Sequence, residues 1–390
     1  MPLGLYISVP FCRTKCTYCN FASDVFSRAV FEKYVTRLCA EIEQSRETSG
    51  QMGGSFDPRV DSIYFGGGTP TLLDVAQLNR VFVTVGQNFK VEREAEITVE
   101  CAPGTLSEPM LNTLAQCGVN RVSLGVQSFI DQEAASVGRL HKRSTVFGDI
   151  ARLREAGISN INVDLIAGLP HQTRASWEDS LSELIASGVP HASVYMLEVD
   201  EDSRLGREVI AGGQKYHVHF VPSEELTADL YERACERLNA AGIRQYEISN
   251  FAVAGFESTH NLKYWTRQPY LGFGLDAHSM LQNVESDGAV RFSNPESLEP
   301  YLARANKERT PVSREQAMEE VFFLGLRMNR GIDVHAESIL GANTPRFLSA
   351  IENLLQEGLL EREDGLVRLT ARGRLFSNEV FERFICLPTS

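Results

Sequence analysis

Three cysteines, Cys12, Cys16 and Cys19, stand at spacings of four and three in the run Pro10-Phe11-Cys12-Arg13-Thr14-Lys15-Cys16-Thr17-Tyr18-Cys19-Asn20-Phe21, directly after an apolar stretch at 3–9. Thiolates gathered so tightly read as a metal centre. A structural zinc site closes its tetrahedron with four protein ligands, and the next cysteine, Cys39, lies inside a helical pattern. A four-iron cluster fits the trio better, because three thiolates leave one iron open to a small chelating ligand. The bland alternative is three reduced thiols packed near a strand end. Clustering in a short loop speaks against it, since ordinary buried cysteines are scattered through a core.

The elements that must position this loop follow from the alternation of apolar runs with amphipathic stretches. Short runs at 3–9, 62–65, 96–100, 120–125, 161–166 and 192–197 alternate with helical spacings such as Phe31, Tyr34, Val35, Leu38 and Ile42, or Trp177, Leu181, Leu184 and Ile185. Gly118, Gly157 and Gly188 each precede an apolar strand start, as helix C-caps do. Six βα units predict an α/β fold, an incomplete (β/α)6 TIM-like barrel open on one side, over residues 1–200. Residues 201–309 are less regular and read as a barrel extension and connecting region. Residues 310–390 carry helical patterns and two short strands around Asp364-Gly365, which predicts a C-terminal, mainly helical winged-helix-like domain.

Composition narrows the partners. The chain has 390 residues, 43% hydrophobic and 23% charged, with a formal charge of −13, so a nucleic-acid surface is not expected. No stretch approaches the roughly 18 apolar residues of a membrane span, and Met1-Pro2-Leu3 runs straight into a strand pattern with no signal-peptide character. A cytoplasmic protein is expected. The eight cysteines do not suggest a disulfide framework, and a reducing compartment suits an exposed thiolate trio.

In a parallel barrel the strand C-termini and the loops after them form the active face. Strand one leads into the cysteine loop, and strand two into Gly66-Gly67-Gly68-Thr69-Pro70-Thr71, where backbone groups can approach a ligand closely. Strand three ends in Glu100 and strand five carries Asp164. Such carboxylates are costly to bury unpaired, and an ion pair with Arg121 or Arg139 is the structural alternative to a ligand role. Gln127-Ser128 and then Gly138-Arg139-Leu140-His141 follow strand four.

Taken together, C-x3-C-x2-C, GGGTP, a strand-terminal Glu, G-V-Q-S-F, an Arg twelve residues after that Gln, and N-x-D-L-x-x-G-L-P resemble the radical S-adenosylmethionine (SAM) superfamily. More narrowly they resemble the branch of oxygen-independent coproporphyrinogen III oxidases and HemW heme chaperones. The resemblance implies a [4Fe-4S] cluster on Cys12, Cys16 and Cys19 whose open iron chelates SAM. Gly66, Gly67, Gly68 and Thr69 correspond to the segment that meets the ligand's amino group, with Glu100 near it. Arg139 corresponds to the partner of its carboxylate, for which a guanidinium fork is suited. Asp164 would accept from the ribose hydroxyls, and Gln127 and Tyr6 match further contact positions. Reduction of the sulfonium would give methionine and a 5′-deoxyadenosyl radical. One departure is plain: the family's E-x-N-P is Glu100-Cys101-Ala102-Pro103 here.

Within that branch, the oxidases carry an N-terminal extension and a further Cys two positions after the third cluster Cys, where this chain has Phe21. His260-Asn261-Leu262-Lys263-Tyr264-Trp265 is similar to the HNxxYW signature of the chaperones, whose His is the proposed heme contact. This implies His260 as axial ligand, Tyr264 and Trp265 against the macrocycle, and Lys263 or Arg267 at the propionates. A His-Asn turn capping local backbone, with Trp265 filling a gap, is the structural alternative; His217, His219 and His278 are other imidazoles that could ligate. The resemblance implies a heme chaperone that receives heme from a donor and passes it to client hemoproteins, membrane-bound respiratory subunits among them. The alternatives are a radical enzyme acting on a porphyrinogen or another substrate, and a scaffold with a vestigial cluster.

Overall fold

The computed structural model describes residues 1–284, 288–335 and 344–385. Cys386 lies outside them. Six parallel strands, β1 (Leu3–Val9), β2 (Arg59–Gly67), β3 (Lys90–Cys101), β4 (Arg121–Gln127), β5 (Asn160–Ala167) and β6 (His191–Met196), pair in chain order, as expected of an incomplete barrel. β7 (Asn250–Ala252) runs antiparallel to β6 at one edge. At the other edge β8 (Tyr270–Phe273) adds a parallel strand to β1, and β9 (His278–Asn283), β10 (Ala289–Ser293) and β11 (Glu308–Val312) extend the sheet antiparallel from there. No hydrogen bonding joins β6 or β7 to β11, so the curved sheet stays open among the described residues.

The strands are two-faced. On β1, Leu3, Leu5, Ile7 and Val9 are fully buried beneath the outer helices. Gly4, Tyr6 and Ser8 alternate with them and face the concave side, as do Ser62, Tyr64 and Gly66 on β2, because strand side chains alternate with a period of two. The outer layer is formed by α1 (Arg28–Glu43), α2 (Val75–Asn88), α3 (Glu108–Gln116), α4 (Arg143–Glu155), α5 (Arg174–Ser187) and α6 (Glu224–Ala240). Trp177 of α5 is sealed in that layer and donates Nε1–H to the Leu230 carbonyl at 2.7 Å. The glycines expected to cap helices do so: Gly118, Gly157 and Gly188 take φ of 77°, 85° and 64°, the left-handed region a side chain would strain.

A short helix, α7 (Thr259–Trp265), lies across the N-terminal ends of β1 and β2, opposite the cysteine loop. Beyond it, α8 (Arg314–Gly325) and α9 (Thr344–Gln356) share a second hydrophobic core of Phe322, Phe347, Ile351 and Phe384 with a three-stranded antiparallel sheet. Two of its strands, β13 (Leu360–Glu363) and β14 (Leu366–Leu369), turn at Asp364 and Gly365, whose φ of 50° and 83° are those of a primed hairpin turn; β12 (Ile332–Asp333) pairs with β14.

Candidate functional site

The cysteine loop is held from three sides. Gly68 N donates to the Val9 carbonyl at 2.8 Å and Thr69 N to that of Phe11 at 2.7 Å. A Cβ at Gly68 would lie 2.7 Å from the Phe11 carbonyl oxygen, so only glycine lets the turn after β2 pack against the start of the loop. Thr17 N and Thr14 Oγ1 donate to the carbonyls of Val137 and Gly138 at 3.2 and 2.9 Å, and Arg204 reaches the Lys15 carbonyl at 2.8 Å. Phe11 stacks on Phe31, ring centroids 3.7 Å apart, and roots the loop in the core.

All three cysteines are free thiols, Cys16 buried and Cys12 and Cys19 half-buried. Burial raises the pKa of Cys12 and of Cys19, so both thiolates call for a cationic partner. Among the described residues no three His, Cys, Asp or Glu side chains close around a single ion. A four-iron cluster would take each cysteine on a different iron.

The loop opens onto a cavity of about 510 Å³ lined by Cys12, Cys16, Cys19, Gly67, Gly68, Thr69, Glu100, Gln127, Arg139 and Asp164. Of the residues that the resemblance assigns to the cluster and SAM, all line it except Gly66 and Tyr6. Gly66 and Tyr6 lie just beneath: a Cβ at Gly66 would meet Glu100 Oε1 and the Tyr6 ring at 3.1 Å, and Tyr6 stacks on Tyr64 at 6.2 Å.

Neither carboxylate is ion-paired among the described residues. Glu100 accepts from the Tyr64 hydroxyl at 2.8 Å, and burial, reinforced by the charge of Asp164, pushes its pKa up to about 7. Asp164 accepts from Asn162 Nδ2 at 2.7 Å and Ser123 Oγ at 3.2 Å, and burial raises its pKa as well. The expected alternative, an ion pair to Arg121 or Arg139, does not form. Arg139 instead donates to the hydroxyl of Tyr18, between the second and third cysteines, at 3.2 Å. Its Nε and the Gln127 Oε1 are buried without partners among the described residues, and Gln127 is held at φ 71° with its amide beside Gly125. Two under-compensated carboxylates, a guanidinium with a spare donor and an amide with a spare acceptor fit a ligand bearing both an ammonium and a carboxylate. Ala102, in place of the expected Asn, lines the same wall.

His260 is elsewhere. It is 1% exposed on α7, its Nδ1 3.0 Å from Ser62 Oγ and its Nε2 2.9 Å from the Tyr264 hydroxyl. Burial pushes its pKa down to about 3, so the ring is neutral, yet neither nitrogen is free for iron. The layer of Tyr6 and Tyr64, stacked at 6.5 and 5.4 Å from the imidazole, lies between it and Glu100. The expected propionate partners are engaged too: Lys263 is paired with Asp61 at 2.7 Å and Arg267 with Glu320 at 2.7 Å. In this arrangement α7 plugs the barrel floor, and iron ligation by His260 would require it to leave that seat. His217 is hydrogen-bonded to His171 at 3.0 Å, and His278 lies 3.7 Å from Asp276.

Sequence reasoning missed Tyr64, Ser123, Tyr195, Tyr231, Arg327 and Arg374, although Tyr64 and Ser123 hold the two carboxylates and the other four line the cavity. Period-two spacing from Gly66 and Gly125 was the available signal for Tyr64 and Ser123; the rest come from elements far away in sequence.

Fold and site together define a radical S-adenosylmethionine protein: residues 6–184 match the model of the Radical SAM superfamily, and residues 312–376 that of the HemN C-terminal domain. The structure of Escherichia coli coproporphyrinogen III oxidase (HemN), a radical SAM enzyme, superposes with a TM-score of 0.82 at 24% identity, covering 98% of this chain and 90% of that one, a likeness of fold. Heme chaperone HemW of Bacillus subtilis is 35% identical over 97% of this chain and 98% of its own length. HemW of Lactococcus lactis is 32% identical over 98% and 97%. The chain belongs to the HemW family.

Proposed function

We propose that this protein is a heme chaperone that binds a [4Fe-4S] cluster through Cys12, Cys16 and Cys19, SAM beside it, and heme, which it takes from a donor and delivers to client hemoproteins, membrane-bound respiratory subunits among them. The observation that carries the reading is the continuity of one cavity from the cysteine loop, past Glu100, Arg139 and Asp164, to residues of the second core. Kinship along nearly the whole chain with proteins named heme chaperones supports it. When bound, cluster and SAM would supply reductive C–S cleavage to a 5′-deoxyadenosyl radical. In this reading Glu100 accepts from the ligand's ammonium, Arg139 pairs with its carboxylate, Asp164 takes the ribose hydroxyls, and the Tyr6–Tyr64 layer closes the cavity floor against water. Half-buried thiols suit a reducing cytoplasm. No described helix is long and apolar enough to cross a membrane.

The test is anaerobic reconstitution followed by hemin titration and heme transfer to an apo-hemoprotein. Stoichiometric binding and transfer are expected, with transfer lost when Cys12, Cys16 and Cys19 are changed to Ala together. Transfer that survives the triple change would point to a scaffold with a vestigial cluster; no hemin binding would end the chaperone reading. The complete donor set around Glu100 and Arg139 favours one second reading, a radical enzyme acting on a porphyrinogen or another substrate. It requires 5′-deoxyadenosine to form in step with a modified product.

A further inference from the structure

The far end of the cavity is cationic in a chain whose formal charge is −13. Arg327, just beyond α8, and Arg374, in the helix Ala371–Leu375, both line it, together with Tyr231, Ile248 and Leu375. The Arg327 guanidinium lies over Trp265, 4.3 Å from the ring centroid, and its buried Nε has no hydrogen-bond partner among the described residues. Its nearest carboxylate oxygen, Glu247 Oε2, is 3.8 Å away, beyond hydrogen-bond reach, and burial favours the neutral form of that acid. Arg374 donates only to the Leu369 carbonyl at 3.2 Å and has no carboxylate partner among the described residues. Lys263 and Arg267 at the barrel floor are each matched to a carboxylate, and so is Lys307 elsewhere in the sheet. Two guanidiniums with spare donors, set beside a tyrosine and two aliphatic side chains, make a surface for a bulky apolar ligand that carries carboxylates.

We infer that Arg327 and Arg374 are the carboxylate anchors of the heme site, receiving the propionates while the apolar edge of the macrocycle lies against Tyr231, Ile248 and Leu375. The inference rests on the chaperone reading above and adds to it a place and an orientation. It also gives the HNxxYW segment a different part: Trp265 holds Arg327 over the cavity, and His260 with Tyr264 fixes the helix that carries Trp265, so the motif acts through an arginine and not through iron.

Hemin and hemin dimethyl ester, which lacks free carboxylates, separate the possibilities when each is titrated into the reconstituted protein and followed by Soret difference absorbance. The wild type is expected to prefer hemin. Arg327→Gln with Arg374→Gln is expected to weaken hemin binding roughly tenfold or more, as lost charge-assisted bonds do, and to leave ester binding unchanged, erasing the preference. Iron content and far-ultraviolet circular dichroism report whether the double variant folds; if it does not, Arg374→Gln alone, which gives up a single backbone hydrogen bond, is expected to lose part of the preference. A variant that keeps the preference, or a wild type that binds both ligands equally, overturns the anchor assignment and leaves heme binding standing. A wild type that binds neither overturns the chaperone reading and this inference with it.

Discussion

The hydroxyl of Tyr64 donates to Glu100 Oε1 at 2.8 Å, a side-chain hydrogen bond that steadies a carboxylate with no ion pair among the described residues. Because Tyr64 stands two residues before Gly66 on β2, the strand that shapes the glycine turn also sets the charge state of the neighbouring strand's acid.

Tyr64→Phe is therefore expected to weaken SAM binding about ten- to a hundredfold, the worth of one hydrogen bond to a charged group, as measured by equilibrium binding to the reconstituted protein. Wild-type affinity should rise as pH climbs through about 7, where Glu100 ionises, and Glu100→Gln should flatten that rise. Stability runs the other way in the ligand-free protein. The folded carboxyl keeps its proton up to about 7 whereas an unfolded one loses it near 4.5, so this group makes stability fall as pH rises across that window.

Gly68→Ala places a methyl 2.7 Å from the Phe11 carbonyl oxygen, against backbone that has no room to give. A loss of about 1–3 kcal/mol is expected from overpacking, together with poor cluster assembly, read as iron bound per protein after reconstitution. Gly148→Ala, where nothing lies within 4 Å of the new carbon, is the matched control and should assemble normally.

His260→Asn should leave the heme spectrum as it is and lower the melting temperature, because it breaks the contacts to Ser62 and Tyr264 without touching an iron ligand. The sign of its pH dependence is fixed. The folded imidazole stays neutral down to about 3 while the unfolded one charges near 6.5, so wild-type stability falls as pH drops through that window, and the variant should fall less steeply. A lost or shifted heme spectrum in His260→Asn would restore the axial-ligand assignment.

The six strands, the cysteine loop and the converging residues were legible because each rests on local signals: apolar runs, capping glycines, and spacing within a few residues. Tyr64, Ser123 and Asn162 were legible in principle, since the inward face of each strand alternates with the apolar one and the carboxylates mark which face that is. The seat of His260 was not. It depends on Gly4, where an added Cβ would come within 2.8 Å of Lys263 Cδ, and on Glu96 accepting from Thr259 N and His260 N at 3.0 and 3.1 Å. These contacts join residues more than a hundred positions apart, which no pattern in one segment announces. Arg327 and Arg374 were opaque for the same reason: one sits just past a helix and the other in a short one, and each gains meaning only from the cavity that it lines.

The pairing of β8 with β1 has a consequence for how the chain comes to be folded. β1 is synthesised long before one of its two neighbours, which begins at Tyr270. Until that far segment arrives, β1 is an unprotected edge with a row of unpaired amides, and the three thiols at its end are hung from a half-finished sheet. A contact of such long sequence separation forms late. Iron loading therefore belongs after translation has passed β8, and a nascent chain stalled short of that point presents an aggregation-prone strand in place of a cluster site.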